Sequence, residues 1–294
     1  AVWYYSSGTT RPNNATYTVN YNGGSANVVV NQQINGGMWV VLGTYNFALG
    51  TTGRVTLSNQ AQTGKTIAAD AVRFLARGIE FRGFWADVFH VGMQNAAQVD
   101  QMISLAVQGR YNAIVPEVLA YHDNGVGGSH GAYWRSDIVA RTSFVTPTFD
   151  PLAYMVQQAH ANGLEIHPWL VAFRVSTLWP PPGNATVAAH PEWLMVPKGS
   201  IGNLAQVGGY YTFDAGSPGA QEYLMSIVQE LVTDYQIDGI HWDYIRYTQT
   251  DAGYPTNTSY AGSTLARFQD ITGRTDVPNA TGDTQWDDFR RRTV

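Results

Sequence analysis

The sequence of 294 residues contains no cysteine, which excludes disulfide bonds, thiolate metal sites and cysteine nucleophiles. Charged residues are also scarce: Asp, Glu, Lys and Arg together make up 13% of the chain, and lysine occurs only at positions 65 and 198. The formal net charge is −5, and the only dense cationic run is the arginine triplet at 290–292. Nucleic-acid binding requires a basic patch, so we expect no nucleic-acid partner.

Long apolar runs are missing as well. No stretch approaches the ~18–20 apolar residues of a transmembrane helix, so we expect no membrane span. The chain begins in a predicted strand and ends in a predicted helix, and we therefore expect both ends to continue in a longer protein. Apolar residues in general are nevertheless plentiful, at 44% of the sequence with 17 Tyr and 9 Trp, which is enough to bury a sizeable core.

Residues 1–76 have the pattern of an all-β domain. Short β-rich runs are separated by turns of Gly and Asn, which is typical of a β-sandwich. We predict strands in six segments, which are 1–5, 16–21, 27–31, 39–47, 55–58 and 68–74.

Residues 78–294 follow a different pattern, in which apolar strands alternate with helices. We predict strands over 81–87, 112–118, 164–171 and 239–247, and helices over 95–109, 151–162, 219–235 and from about 286. Repeated βα units indicate a parallel sheet, and long loops after each strand are typical of a (β/α)8 TIM barrel. A doubly wound fold is the alternative, but no Gly-rich phosphate loop follows the first strand. Four βα units fit into these residues, so we expect about the first half of a barrel.

Polar side chains cluster where the predicted strands end, the position at which TIM barrels build their active sites. Within the last strand, His241 and Asp243 lie two residues apart and therefore project from the same face. The candidate site residues are Asp87, Glu117, Tyr121, His167, Trp169, His241, Asp243 and Arg246.

Hydrolysis of a glycosidic bond needs two carboxyl groups, one to donate a proton and one to attack or to activate water. Asp243 is the candidate nucleophile or base, and the acid is either Glu117 or a carboxyl group outside this sequence. Asp87, His167, His241 and Arg246 would then bind or orient the sugar, with Tyr121 and Trp169 beside them. A structural alternative stays open for each, such as an ion pair between Asp243 and Arg246. Asp238 is expected to order the turn before its strand.

Tryptophan rings supply flat apolar faces on which sugars stack. The strand tryptophans, Trp85, Trp169 and Trp242, are expected mainly in the core. The loop tryptophans are the better platform candidates, and these are Trp134, Trp179 and Trp193.

Metal-dependent hydrolysis is the rival chemistry, for example in a deacetylase. The seven histidines are scattered, and neither a His-x-His nor a His-Glu-x-x-His pair occurs. We therefore expect no metal and no cofactor.

Several motifs of the second region, in this order along the chain, resemble the glycosyl hydrolase-like 10 family. They lie at 81–87, 165–169, 190–194, 213–223 and 238–247, the last reading Asp-Gly-Ile-His-Trp-Asp-Tyr-Ile-Arg-Tyr. The resemblance implies a bacterial TIM-barrel protein related to glycoside hydrolases. It also implies that Asp243 is the acidic residue of the fourth strand.

Residues 1–76 resemble the later part of a golvesin-like, Xly-type β-sandwich, on the motifs at 44–47, 55–59 and 69–74. Such modules accompany secreted enzymes that act on carbohydrates and cell walls, which implies a glycan-binding or spacer role.

Together these observations predict a secreted or cell-surface bacterial glycoside hydrolase that acts on a polysaccharide or oligosaccharide. Its further partners would be the remainder of the barrel or an extracellular assembly. The alternatives are a non-catalytic glycan-binding or structural protein of the cell surface and a metal-dependent hydrolase.

Overall fold

The computed structural model describes residues 1–48, 53–74, 80–90, 92–126 and 128–294. Within them the chain divides into two compact units, Ala1–Glu80 and Phe81–Val294. The domain boundary predicted between 76 and 78 falls outside the described residues and stays a prediction.

The first unit contains two three-stranded antiparallel sheets. Its strands are β1 (Val2–Trp3), β2 (Ala15–Tyr21), β3 (Gly24–Val30), β4 (Trp39–Val40), β5 (Arg54–Leu57) and β6 (Ala71–Val72). They pair in the orders β4-β1-β6 and β3-β2-β5. The hairpin between β2 and β3 turns at Gly23, whose φ of +88° is a conformation that glycine adopts without strain.

Alternation along β2 creates the core of this unit. Ala15, Tyr17 and Val19 are almost completely buried, and they pack with Val2 and Tyr4 of the other sheet region. Residues two apart on a strand share a face, so the sequence pattern fixes which face of β2 is covered. The all-β prediction for this unit is confirmed.

Three of its predicted strands are shorter than expected. The segment 1–5 pairs only at Val2–Trp3. The segment 39–47 pairs only at Trp39–Val40, and the segment 68–74 only at Ala71–Val72. After β4 the backbone turns at Gly43, with φ of +142°, and the Tyr45 hydroxyl donates to the Leu42 carbonyl at 3.1 Å. The β-rich composition of 39–47 therefore does not lead to a continuous strand.

The second unit contains six helices and nine strands within the described residues. In chain order they are β7 (Gly83–Ala86), α1 (Ala96–Gln108), β8 (Ala113–Leu119), α2 (Pro151–Ala161), β9 (Glu165–Ile166), β10 (Trp169–Val171), β11 (Arg174–Ser176), α3 (Ala185–Ala188), β12 (Leu194–Val196), β13 (Tyr211–Phe213), α4 (Pro218–Asp234), β14 (His241–Asp243), β15 (Tyr254–Pro255), α5 (Thr264–Thr272) and α6 (Thr284–Thr293). Short 3₁₀ turns lie at Pro191–Trp193 and Lys198–Ser200.

A parallel sheet of order β14-β10-β8-β7 forms the centre of this unit, with β9 also paired to β8. Neighbouring strands follow the chain order, as they do in a TIM barrel. All seven residues of β8 are buried, which makes it the middle of the sheet. The predicted fold class is thus confirmed: an antiparallel N-terminal unit is followed by a parallel half-barrel with helices.

The helices that cover the sheet begin at the residue types expected for caps. The side chains of Asn95, Asp150 and Ser217 accept hydrogen bonds from backbone N–H groups in the first turns of α1, α2 and α4. Proline at the first position of α2 and α4 fits the same role, since its missing N–H would be unpaired there anyway. The buried faces of these helices and of the sheet form one large core.

The third predicted strand, 164–171, is divided into β9 and β10. Pro168 lies in the interruption, and proline has no N–H for a sheet hydrogen bond. The fourth predicted strand, 239–247, is paired only over His241–Asp243. It ends at Tyr244, whose φ of +49° is incompatible with an extended strand.

Asp238 holds the turn into β14. Its Oδ2 accepts a hydrogen bond from the Ile166 N–H at 2.8 Å and lies 2.9 Å from Nε2 of His160. This agrees with the structural role expected for Asp238.

The connections after the strands contain structure that the sequence pattern did not predict. An antiparallel sheet of order β11-β13-β12-β15 and the helix α5 both lie in regions taken as loops. The strands of this sheet have two or three residues each, too few to show a period of two. None of the described helices is long and apolar enough to cross a membrane.

The predictions for two tryptophans are wrong. Trp134, expected as an exposed platform, is fully buried, and its Nε1 donates to Oε2 of Glu230 at 2.7 Å. Trp85, expected in the core, is 66% exposed. The loop that carries Trp134 packs into the core, whereas the face of the sheet that carries Trp85 is open.

Candidate active site

The parallel register brings several predicted site residues to the same level of the sheet. Trp169 of β10 lies opposite Glu117 of β8 on one side and opposite His241 of β14 on the other. Asp243, two residues beyond His241, therefore shares their face at the carboxyl end. Of the eight candidates at predicted strand ends, the register thus brings Glu117, Trp169, His241 and Asp243 to one end of the sheet, and their functional roles stay predictions.

Glu117 is the buried carboxyl group of the site. It is 3% exposed, and its Oε2 accepts a hydrogen bond from the Val88 N–H at 3.2 Å. Burial raises the pKa of Glu117 to about 7, and the nearby carboxylates of Asp87 and Asp243 add to this effect. The Val88 N–H and the Arg174 guanidinium act in the opposite direction. Near neutral pH, Glu117 is therefore able both to hold and to release a proton.

Asp243 is half-buried and oriented by two donors. The Trp169 Nε1 donates to its Oδ2 at 3.2 Å, and the Tyr244 N–H donates to its Oδ1 at 2.6 Å. Tyr244 adopts a left-handed backbone conformation that is uncommon for residues other than glycine. Unusual conformations of this kind tend to cluster at functional sites.

His241 connects the two outer strands of the half-barrel. Its Nε2 accepts a hydrogen bond from Nε1 of Trp85 at 3.2 Å, although β14 and β7 are the opposite edges of the sheet. The sheet must therefore curve strongly, so that its first and last strands face each other. The rings of Trp85 and Trp169 lie 5.8 Å and 6.2 Å from the His241 ring, between centroids.

Asp87 follows β7, and its carboxylate is hydrogen-bonded within the turn that comes next. Its Oδ1 accepts hydrogen bonds from the N–H groups of Phe89 at 2.8 Å and His90 at 3.1 Å, and lies 2.9 Å from Nδ1 of His90. Burial alone would raise the pKa of Asp87, but the bonds with His90 and Phe89 together hold it below its usual value. Asp87 thus orders this loop while its charge acts on Glu117.

His167 lies lower in the sheet than the other candidates. It occupies the interruption between β9 and β10, where its Nε2 is 3.0 Å from Oε2 of Glu165 and its ring packs edge-on against Phe81. Its backbone N–H pairs with Ile114, three residues before Glu117. The structure does not bring His167 into the carboxyl cluster, and its predicted sugar contact stays a prediction.

Tyr121 and Arg246 lie on different sides of the site. Tyr121 is buried beside Tyr210, with ring centroids 5.7 Å apart, and burial together with Tyr210 raises the pKa of its hydroxyl. Arg246 is exposed and lies over the Tyr244 ring at 4.7 Å. It lines a cavity of about 480 Å³ that extends to α6 and Arg290.

Sequence reasoning missed Arg174, at the start of β11. Its guanidinium carbon lies 3.4 Å from the centroid of the Tyr244 ring and 4.4 Å from that of Tyr210. No motif marks Arg174, because it belongs to the short antiparallel strand that the pattern did not predict. In the described part of the chain, no group of three or more His, Asp or Glu side chains converges to hold a metal ion.

Two family models match the chain. Residues 1–76 match the Golvesin C-terminal domain, and residues 80–294 match glycosyl hydrolase-like 10. The chain belongs to the glycosyl hydrolase-like 10 family. The resemblances seen in the sequence motifs are thereby confirmed, and the carboxyl cluster lies within the family's region.

Relatives of this family member carry hydrolase names. Glycosyl hydrolase DigH of Escherichia coli (strain K12) is 30% identical over 129 residues, which are 40% of this chain and 29% of that protein. Glycosyl hydrolase YngK of Bacillus subtilis (strain 168) is 24% identical over 155 residues, 51% of this chain and 28% of that protein. The matches therefore span less than a third of either relative.

The solved structures similar to this chain include alpha-L-fucosidase isoenzyme 2 from Paenibacillus thiaminolyticus. It is 19% identical, with a TM-score of 0.47, over 72% of this chain and 28% of that chain. The noncanonic maltogenic alpha-amylase AmyB from Thermotoga neapolitana is 14% identical, with a TM-score of 0.37, over 57% of this chain and 40% of that chain.

Proposed function

We propose that this chain is the catalytic region of a glycoside hydrolase that acts on a polysaccharide, with Glu117 as proton donor and Asp243 as nucleophile or base. One observation carries the proposal: a buried carboxyl group with a pKa of about 7 lies electrostatically coupled to a second, half-buried carboxyl group at the same end of a parallel sheet. Glycosidases divide their two carboxyl groups between these roles. Environments that differ in this way are how one site separates an acid from a base.

The surrounding residues suit the binding of a sugar. In this mechanism Glu117 gives its proton to the glycosidic oxygen, while Asp243 attacks the anomeric carbon or activates water. Asp243 is already oriented by Trp169 and by the Tyr244 N–H. The exposed ring of Trp85 offers an apolar face against which a sugar could stack, and His241 lies beside it.

The substrate class and location are part of the same proposal. We infer that the substrate is a glycan outside the cell, since the sequence matches a family of glycosyl hydrolase-like proteins joined to a Golvesin C-terminal domain. The names of the bacterial relatives support hydrolysis of glycosidic bonds. Asp87 and Arg246 would contribute charge and hydrogen bonds at the edges of the sugar site.

The decisive test is the release of reducing ends from a panel of bacterial, fungal and plant polysaccharides. Asp243→Asn should lower turnover at least ~1,000-fold with the fold intact, because it removes the nucleophile or base but keeps the shape of the side chain. Asp234→Asn is the matched control, since Asp234 is exposed at the end of α4 and should leave turnover unchanged.

Other outcomes would contradict the proposal. Retained turnover in Asp243→Asn would remove Asp243 from the mechanism. Glycan binding that survives this substitution, with no turnover in any variant, would favour a non-catalytic glycan-binding protein. Activity lost to a chelator and restored by zinc would favour a metal-dependent hydrolase.

A further inference from the structure

Arg174 acts electrostatically on Glu117 without belonging to the strand ends that carry the two carboxyl groups. It begins β11, directly beyond β10, and is half-buried. Its guanidinium is held between the rings of Tyr210 and Tyr244, and its Nε is buried without a hydrogen-bond partner among the described residues. Stacking on aromatic faces is a preferred environment of the planar guanidinium, which keeps its charge under all ordinary conditions.

Tyr210 and Tyr244, the two tyrosines that hold Arg174, are both connected to residues of the site. Tyr244 follows Asp243 directly, and its N–H donates to the Asp243 carboxylate. Tyr210 packs against Tyr121, which lies four residues after Glu117. The left-handed conformation of Tyr244 therefore places its ring against Arg174 while its backbone holds Asp243. The position of Arg174 is set by contacts on both sides of the carboxyl cluster.

The charged groups around Glu117 indicate how Arg174 affects the ionisation of this carboxyl group. Asp87 and Asp243 are negative and oppose ionisation of Glu117, whereas the positive charge that favours it comes from Arg174. The hydroxyls of Tyr121 and Tyr133 also face this carboxyl group and are affected by it. Without this positive charge, a buried carboxyl group between two carboxylates would hold its proton more tightly.

We propose that Arg174 is the positioning residue of the site, a fixed positive charge held by Tyr210 and Tyr244 that allows Glu117 to release its proton beside Asp87 and Asp243. The proposal relies on the proposed function for the use made of this proton. The experiment that tests the proposal does not rely on that function, because the ionisation of Glu117 can be followed in the absence of any substrate.

The experiment is a carbon NMR titration of the full chain labelled at the glutamate carboxyl carbon. The sequence has only six glutamates, and the Glu117 signal is identified by its loss in Glu117→Gln. Arg174→Met removes the charge but keeps an apolar side chain between the rings. We expect the midpoint of Glu117 to rise by up to about one pH unit, because the positive charge that favours its ionisation is removed.

Two control variants separate charge from structure. Arg174→Lys keeps the positive charge and should restore a midpoint close to that of the unmodified protein. Arg292→Met makes the same substitution at an exposed position of α6 and should leave the midpoint unchanged. If Arg174→Met does not fold, Arg174→Gln replaces it under the same criterion.

A Glu117 midpoint that is the same in the folded neutral variant and in the unmodified protein would overturn the proposal. A raised midpoint in the neutral variant, with no turnover in any variant, would support the effect of Arg174 on Glu117 and contradict the proposed hydrolase function. With turnover present, the neutral variant should also shift the alkaline limb of the pH profile upwards and lower the maximal rate.

Discussion

The strands β8 and β14 each supply one carboxyl group to the same end of the sheet, yet the two strands differ in almost every physical respect. β8 has strands on both sides and is buried throughout, whereas β14 pairs only with β10 among the described strands and none of its residues is fully buried. Glu117 loses water as a neighbour and gains one backbone donor. Asp243 keeps partial access to water and gains two donors. The two strands thus give similar side chains different access to water and different hydrogen-bond donors.

The largest expected difference between Glu117 and Asp243 appears when substrates with different leaving groups are compared. Glu117→Gln should lower turnover of a polysaccharide by ~100–10,000-fold, because the leaving oxygen then lacks a proton donor. It should lower turnover of an aryl glycoside far less, since a nitrophenolate leaves without protonation. Asp243→Asn should affect both substrates alike. Steady-state kinetics of the two variants on both substrates makes the comparison, and equal losses in Glu117→Gln would reject its role as the acid.

The stability of the protein should depend on pH through Glu117. Its pKa is about 7 in the folded chain and 4.5 in its ordinary state, so the folded state binds the proton more tightly. This contribution is complete below pH 4.5 and is lost as the pH rises through 7, a change of roughly 3 kcal/mol.

Thermal unfolding of Glu117→Gln between pH 5 and pH 8 measures this effect. The variant should lose less stability over this range than the unmodified protein, because its neutral amide has no charge to bury. Asp234→Asn serves as the exposed control. Identical pH dependence in Glu117→Gln and the unmodified protein would mean that Glu117 is not the group that titrates.

The smallest expected effect concerns the donors to Asp243. Trp169→Phe keeps an aromatic ring but removes the Nε1 hydrogen bond to Oδ2. We expect turnover to fall about tenfold, corresponding to one hydrogen bond to a charged group, with the melting temperature nearly unchanged. Trp242→Phe is a comparable substitution on β14, and it should leave turnover unaffected. Equal activity of Trp169→Phe and the unmodified protein would mean that Tyr244 alone suffices to orient Asp243.

The sequence was informative where a single local rule decides the structure. Asn95, Asp150 and Ser217 lie at or just before the predicted helix starts and cap α1, α2 and α4, and the alternation in β2 matches its buried face. The strand-end rule likewise placed Glu117 and Asp243 at the same end of the parallel sheet. These features depend on residues close in the chain or on the regular geometry of parallel strands.

The sequence was uninformative where segments that are distant along the chain come into contact. Trp134 looks like a loop residue, but it is buried because Glu230 of α4 provides a partner for its N–H. Arg174 has no recognisable pattern, since its environment comes from Tyr210 and Tyr244, 36 and 70 residues further along the chain. Nothing local predicts such contacts, so the electrostatics of the site could not be obtained from the sequence.

The difference in burial between β8 and β14 also bears on how the site moves. Local opening needs the least free energy where the backbone has few buried contacts. Glu117 lies on a strand that is buried throughout, whereas Asp243 lies on a three-residue strand of partly buried residues that pairs with β10. We therefore expect the amide protons of β8 to exchange with solvent more slowly than those of β14, so that Glu117 is the fixed point of the site and Asp243 the more adjustable of the two carboxyl groups.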